Sequence, residues 1–224
     1  MVHIASVTKE EAKAFGILAK KDLSEHPLQG TILEAKRNKE MVNEIDLDLF
    51  RGGTPFLLFE NSQPVSLHIT RMSSRKRKDA WGRYCNFYLA YTLPSHRYKG
   101  YASALCTFVQ DQLQAEGYDR MKSLIGSWGG FRLHLSLGHT LWGLAPNGCI
   151  VVDFPLRKGI FPSSTPRLIR SYGLSEEWSV DSLITALTDQ NGFFARTKEE
   201  VLETFSRHLP VLGKPRSSPV FLQL

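Results

Sequence analysis

Between Leu89 and Leu105 the sequence runs Leu-Ala-Tyr-Thr-Leu-Pro-Ser-His-Arg-Tyr-Lys-Gly-Tyr-Ala-Ser-Ala-Leu, and no other stretch restricts the fold as closely. An apolar, aromatic run ends at Pro94, which has no N–H for a strand ladder. Arg97-x-x-Gly100-x-Ala102 follows, and Ala102, Leu105, Cys106, Val109 and Leu113 then trace one face of a helix. A strand therefore feeds a loop that opens directly into a helix. The first turn of a helix presents unpaired N–H groups and the positive end of the dipole. Gly100 permits a positive φ and a close backbone approach, and the small Ala102 keeps that approach open. Such a loop suits a phosphate or pyrophosphate. The bare pattern is weak, and its place between strand and helix is what raises it.

The rest of the chain supplies elements around this unit. His3 to Val7 reads as a strand, and Thr8 with Glu11 forms a capping box for a helix with Ala12, Phe15, Leu18 and Ala19 on one face. A second box, Thr31 with Glu34, opens a helix to about Ile45. Thr54 to Glu60 is a buried strand, Asn61 to Pro64 a turn, and Val65 to Met72 the returning arm of a hairpin. The motif strand spans about Arg83 to Leu93, and Gly117 is a C-cap for the motif helix. Met121 to Ile125 is a strand, Trp128 to about Leu141 a helix, Pro146 to Gly148 a turn and Cys149 to Phe154 a strand. After Pro155 the composition shifts. Arg157 to Arg170 reads as a linker, followed by a helix capped by Ser179 and another opened by Thr197 and Glu200; the tail from Leu212 reads as irregular. The expected organisation is a main domain over 1–156 and a linker with a helical C-terminal extension over 157–224. The two helices carry too few apolar positions for a core of their own, so they are expected to dock on the main domain.

Composition excludes several classes. The chain has 224 residues, 42% hydrophobic and 22% charged, which fits a folded protein and not a disordered one. No apolar run reaches the ~18 residues of a membrane span. The N-terminus reads as a strand and a charged helix, not as a signal peptide. Cys85, Cys106 and Cys149 form neither a disulfide framework nor a zinc pattern, which suits the cytoplasm. The net charge is +6, and Arg71, Arg75, Lys76, Arg77 and Lys78 crowd one stretch. That cluster is either a solvated hairpin tip or a contact to phosphates of nucleic acid or cofactor.

The segment Pro94-Ser-His-Arg97-Tyr-Lys-Gly100-Tyr-Ala102 resembles the motif Pro-x-x-Arg/Gln-x-x-Gly-x-Gly/Ala of the GNAT superfamily of acyl-coenzyme A N-acyltransferases. The order of elements is similar too, and Leu133-His134-Leu-Ser-Leu137-Gly138-His139 resembles the family's Tyr-x-x-Leu-Gly-Phe. The resemblance spans about Val2 to Leu156. It implies an α+β fold, with a mixed, mostly antiparallel twisted sheet flanked by helices. It implies acetyl-coenzyme A, or another acyl-coenzyme A, as cosubstrate, no metal, and transfer to an amine by direct attack in a ternary complex. The amides of Tyr98, Lys99, Gly100, Tyr101, Ala102 and Ser103 would hold the pyrophosphate, with Arg97 and Lys99 adding charge. The backbone of Tyr91, Thr92 and Leu93 would pair with the pantetheine arm, and an amide of the motif strand would polarise the thioester.

An alkylamine has a pKa of about 10, so its attack requires a base or a water relay. The motif-strand position that carries a glutamate in many GNAT members is Asn86 here, which cannot act as a base. The family's tyrosine acid aligns with His134, which reads either as acid or base or as a core-edge histidine. Ser127 stands in place of the family's asparagine. Asp153 and His68 are weaker candidates. Tyr84, Tyr88 and Tyr91 fall at mixed phases, Trp128 and Trp142 read as core, and Cys85 and Cys106 as packing residues. Three functions are compatible: an amine N-acyltransferase, a nucleic-acid-directed GNAT working through Arg75, Lys76, Arg77 and Lys78, and a degenerate coenzyme A-binding module. The C-terminal helices are candidates for covering the acceptor, for homodimerisation or for partner binding.

Overall fold

Thr8 opens the first helix as its sequence requires: the hydroxyl accepts from Glu11 N–H at 3.2 Å, and the Glu11 carboxylate accepts from Thr8 N–H at 2.8 Å. A box of this kind contributes about 1 kcal/mol to helix formation. The computed structural model describes residues 1–27, 32–71, 78–79, 82–137, 140–145, 148–156, 180–192 and 194–208. The chain divides into two compact units, Met1–Met121 and Lys122–Leu224.

The first unit contains β1 (Val2–Ser6), α1 (Lys9–Glu25), α2 (Ile32–Phe50), β2 (Thr54–Glu60), β3 (Gln63–Arg71), β4 (Lys78–Asp79), β5 (Gly82–Thr92) and α3 (Tyr101–Ala115). β1, β2, β3 and β5 pair in that order, each antiparallel to its neighbour, and β4 pairs with β5. The turn between β2 and β3 is only Asn61 and Ser62, at φ of 50° and 68°. Two left-handed residues match the twist of a tight hairpin. Gln63 and Pro64, expected in the turn, belong to β3 instead, and a register shift after Leu58 absorbs the misfit. α2 continues to Phe50, five residues past the expected end, because Leu49 extends its buried stripe with Val42 and Ile45.

One face of this sheet carries Leu57, Leu67, Ile69, Leu89 and Tyr91 against Ala12, Phe15 and Ala19 of α1 and Val42, Ile45 and Leu49 of α2. A second register shift, between Ile69 and Thr70, leaves Tyr88 as the extra residue of β5. The bulge reverses the facing of β5. Leu89 and Tyr91 therefore pack toward α1 and α2, whereas Phe87 meets His68 edge-on on the other face. His68 and Cys106 of α3 meet there, with Sγ and Nδ1 3.5 Å apart. α3 ends in a Schellman arrangement, with Gly117 at φ 78° and Tyr118 N–H donating to Leu113 O at 2.9 Å.

β6 (Arg120–Ile125) runs across the division between the units. The second unit adds α4 (Trp128–Ser136), β7 (Thr140–Leu144), β8 (Ile150–Pro155), α5 (Val180–Thr188) and α6 (Lys198–His208). The helix expected to reach Leu141 stops at Ser136, and Thr140–Leu144 is a strand antiparallel to β8. Leu137 and Leu141 continue the helical spacing of Leu133 by coincidence; the cross-strand pairing with Val152 decides the outcome for Leu141. Leu183 and Leu187 of α5, Phe194, and Val201 and Phe205 of α6 share one core with Trp128, Phe131 and Leu135 of α4 and Ile150 and Val152 of β8. The expected docking of the C-terminal helices thus takes place on α4 and β8. The Thr197–Glu200 capping box is present. The expected linker, the Ser179 cap, the tail, Thr31, and Arg75, Lys76 and Arg77 lie outside the described residues.

Candidate ligand site at the start of the third helix

β5 ends at Thr92, and Leu93 N–H donates to Val65 O at 3.0 Å, which ties the exit of the strand to β3. A single 3-10 turn, Pro94–His96, follows. Ser95 anchors it to α1 twice: its hydroxyl donates to one carboxylate oxygen of Asp22 at 2.6 Å and its N–H to the other at 3.2 Å. Arg97 then turns back. Its Nε donates to Thr92 O at 3.1 Å, its Nη2 to Asn38 Oδ1 of α2 at 2.8 Å, and its guanidinium lies 5.4 Å from the centre of the Tyr91 ring. The Arg97 side chain therefore fastens the loop to the body of the unit.

Tyr98 sits at φ 65° with its ring almost wholly exposed, and Gly100 is left-handed at φ 80°. A side chain at Gly100 would meet no atom within 4 Å, so glycine is required there by backbone conformation and not by space. The first intrahelical amide bond of α3 is Ala104 N–H to Gly100 O at 3.0 Å. The N–H groups of Tyr101, Ala102 and Ser103 accordingly stand at the open first turn, where the dipole favours an anion.

A carboxylate lies beside this turn. Glu60, the last residue of β2, accepts from the Tyr101 hydroxyl, and Oε2 lies 3.5 Å from both Lys99 Nζ and His96 Nε2. The Tyr101 hydrogen bond, followed by the charge of Lys99, holds the Glu60 carboxyl below the usual carboxylate range, and the same bond pushes the Tyr101 phenol up. His96 is in turn 2.8 Å from the Ser95 hydroxyl through Nδ1. The loop is thus bounded by Asp22 at its beginning and Glu60 at its end.

The expected pyrophosphate residues, Arg97 through Ser103, are brought together by this loop. Tyr91, Thr92 and Leu93, expected along a pantetheine arm, are all buried and paired with β3, and Thr92 O already receives Arg97. Asn86 lies opposite Arg71 in the β3–β5 ladder. Ser127 is the N-cap of α4, its hydroxyl accepting from Gly130 N–H at 3.2 Å. His134 is 2% exposed, and burial pushes its imidazole down to about 3, so it is neutral at physiological pH. Cys106 is inert for the same physical reason, burial raising its thiol far above the ordinary range. His68 and Asp153 are both buried. No group of His, Cys, Asp and Glu that could hold a metal ion occurs among the described residues. No described helix is long and apolar enough to cross a membrane.

Glu60, Asp22 and Asn38 are absent from the sequence-derived site. Each is a polar residue at the end or on the face of a regular element, with nothing in its immediate neighbours to mark it. Their contacts to the loop span 41, 73 and 59 residues.

No protein-family model matches the chain, and no curated protein is significantly similar to it in sequence. Solved structures do match. The PaiA N-acetyltransferase of Thermoplasma acidophilum, determined in complex with coenzyme A, superposes with a TM-score of 0.50 at 10% identity, over 69% of this chain and 99% of that one. A protein described as a GNAT-family acetyltransferase, from Desulfovibrio desulfuricans, superposes with a TM-score of 0.50 at 14% identity, over 70% and 100%. The chain has the fold of the GNAT superfamily of acyl-coenzyme A N-acyltransferases.

Proposed function

We propose that this protein transfers an acetyl or other acyl group from an acyl-coenzyme A to an amine, the two substrates reacting directly in a ternary complex. The observation that carries this reading is the left-handed turn at Gly100, which hands β5 into α3 and leaves three first-turn amides without an intrahelical acceptor. Amides fixed in this way receive a pyrophosphate without reorganising. The fold supports the reading, since the PaiA structure carrying it was determined with coenzyme A. The bulge at Tyr88 interrupts the β3–β5 pairing in the motif strand, and in this reading a backbone amide of that strand polarises the thioester carbonyl.

The proton of the amine has no evident acceptor among Asn86, Ser127 and His134, so in this reading water carries it away and reactivity depends on the fraction of neutral amine. Acceptors of low pKa, such as α-amino groups, are then favoured over lysine side chains. The same three residues favour a second reading, a coenzyme A-binding module without turnover. Both readings fit the cytoplasm, a compartment that contains acyl-coenzyme A.

Calorimetric titration with coenzyme A, combined with an assay of free thiol release from acetyl-coenzyme A over a panel of amines, tests both. Binding with amine-dependent thiol release supports the transferase. Binding with no release above hydrolysis leaves the module, and absence of binding to wild type overturns both.

A further inference from the structure

Three side chains that could meet an anion beside α3 already meet one. Lys99, the ammonium next to Gly100, lies 3.5 Å from Glu60; Tyr101, the first residue of α3, donates to the same carboxylate; and His96 approaches it at 3.5 Å. The remaining cation of the loop, Arg97, is engaged by Thr92 O and Asn38. Every cationic side chain of the loop therefore faces protein oxygen, and the donors without an intrahelical acceptor are the first-turn backbone amides. Coenzyme A bears two separate anionic groups, a pyrophosphate and a ribose 3′-phosphate. Amides at a helix start recognise the first; a monoester reaching the loop rim would rely on lysine and hydroxyl side chains.

Building on the acyl-coenzyme A reading above, we infer that Glu60 is a specificity-determining residue that neutralises Lys99, occupies the Tyr101 hydroxyl and makes the site indifferent to the 3′-phosphate. The site holds the ligand through its pyrophosphate, and the monoester gains nothing from Lys99 while the carboxylate occupies it. A dianion brought near Glu60 meets repulsion that offsets the attraction of Lys99. Glu60 does not touch the reacting atoms; it acts through the two side chains it holds.

The test compares coenzyme A with dephospho-coenzyme A, which lacks only the 3′-phosphate, by calorimetric titration at low ionic strength. Wild type is expected to bind the two within about twofold. Glu60→Gln keeps an acceptor for the Tyr101 hydroxyl but removes the charge. It is expected to tighten coenzyme A about five- to tenfold and dephospho-coenzyme A less than twofold, and Lys99→Met added to it should abolish the gain. Glu60→Ala provides the same comparison should Glu60→Gln not fold. A wild-type preference for coenzyme A of tenfold or more overturns the proposal without touching the acyl-coenzyme A reading. An equal gain for both ligands in Glu60→Gln does the same, since Glu60 would then act on the pyrophosphate. Failure of wild type to bind either ligand overturns the acyl-coenzyme A reading itself, and this proposal with it.

Discussion

The Arg97 guanidinium donates to Asn38 at 2.8 Å, joining the motif loop to a helix 59 residues earlier in the chain. The arginine that most strongly suggests a phosphate ligand in the sequence is, in the folded protein, the clamp that shapes the loop around Gly100. Its second bond, to Thr92 O, fixes the angle at which β5 turns into the loop.

Replacing Arg97 should therefore lower stability before it affects any anion contact. Arg97→Ala is expected to cost about 1.5–3 kcal/mol, the range for hydrogen bonds from a charged donor in a partly buried setting. Lys at this position should not restore the loss, because one ammonium cannot span Thr92 O and Asn38 as a guanidinium fork does. Urea denaturation of Arg97→Ala, Asn38→Ala and the double variant should give a coupling energy well above the error of the cycle; additive effects would show the contact to be unimportant.

Gly100→Ala separates conformation from space. A Cβ would meet nothing within 4 Å, yet the φ of 80° disfavours any L side chain. The expected loss is about 1–2 kcal/mol in thermal or urea unfolding. Gly100→Glu should add repulsion and abolish coenzyme A binding in a protein that still folds.

Asp48 is a buried carboxyl of α2 whose pKa rises to about 6, mainly through burial and secondarily through Glu44. A carboxyl with its folded pKa raised makes the native state bind more protons than the unfolded one, so this group's contribution to stability falls as pH rises from about 4 to 6. Asp48→Asn should remove that loss and stabilise the protein by about 1–2 kcal/mol at pH 7, with little effect at pH 4. Melting temperatures at the two pH values check the sign.

His134 acts in the opposite direction. Its folded pKa, about 3, lies below the ordinary value of 6.5. Its contribution is present above pH 6.5 and is lost as pH falls toward 3, with a slope of up to about 1.4 kcal/mol per pH unit. Proton uptake on unfolding at pH 5 should fall by about one in His134→Gln. If thiol release is observed, its pH profile should carry no inflection that this variant removes; such an inflection would restore His134 as acid or base.

The C-terminal helices should be inseparable in stability from the core they cover. Phe194 and Phe205 both pack on Phe131, with ring centroids 6.3 and 6.1 Å apart. Phe205→Ala should cost about 3–5 kcal/mol in urea unfolding. A loss under 1 kcal/mol would mean that α6 is not integrated.

Local signals carried the regular elements. The Thr8–Glu11 and Thr197–Glu200 boxes and the Gly117 cap depend on residues within about one helical turn of each other, the apolar stripe of α3 depends on a repeat of three to four residues, and each appears as read. The end of α4 did not follow its periodicity. Leu133, Leu137 and Leu141 keep helical spacing, but Thr140 to Leu144 gains a ladder with β8, and pairing over that distance is invisible to a window of sequence. The hairpin turn is two residues shorter than its composition suggests, because a bulge lets Pro64 enter a strand.

The sequence by itself determined that a strand, a left-handed glycine and an amphipathic helix follow one another between Leu89 and Leu113, since each is dictated by backbone chemistry over a few neighbouring residues. Only the tertiary structure decided what surrounds them. Asp22, Asn38 and Glu60 come from α1, α2 and β2, and they set the electrostatics of the loop by closing contacts across 41 to 73 residues. Burial, likewise a property of the whole fold, made His134 neutral and Cys106 inert. Charge balance and desolvation depend on which groups share a few ångströms of space, and sequence spacing does not encode that distance.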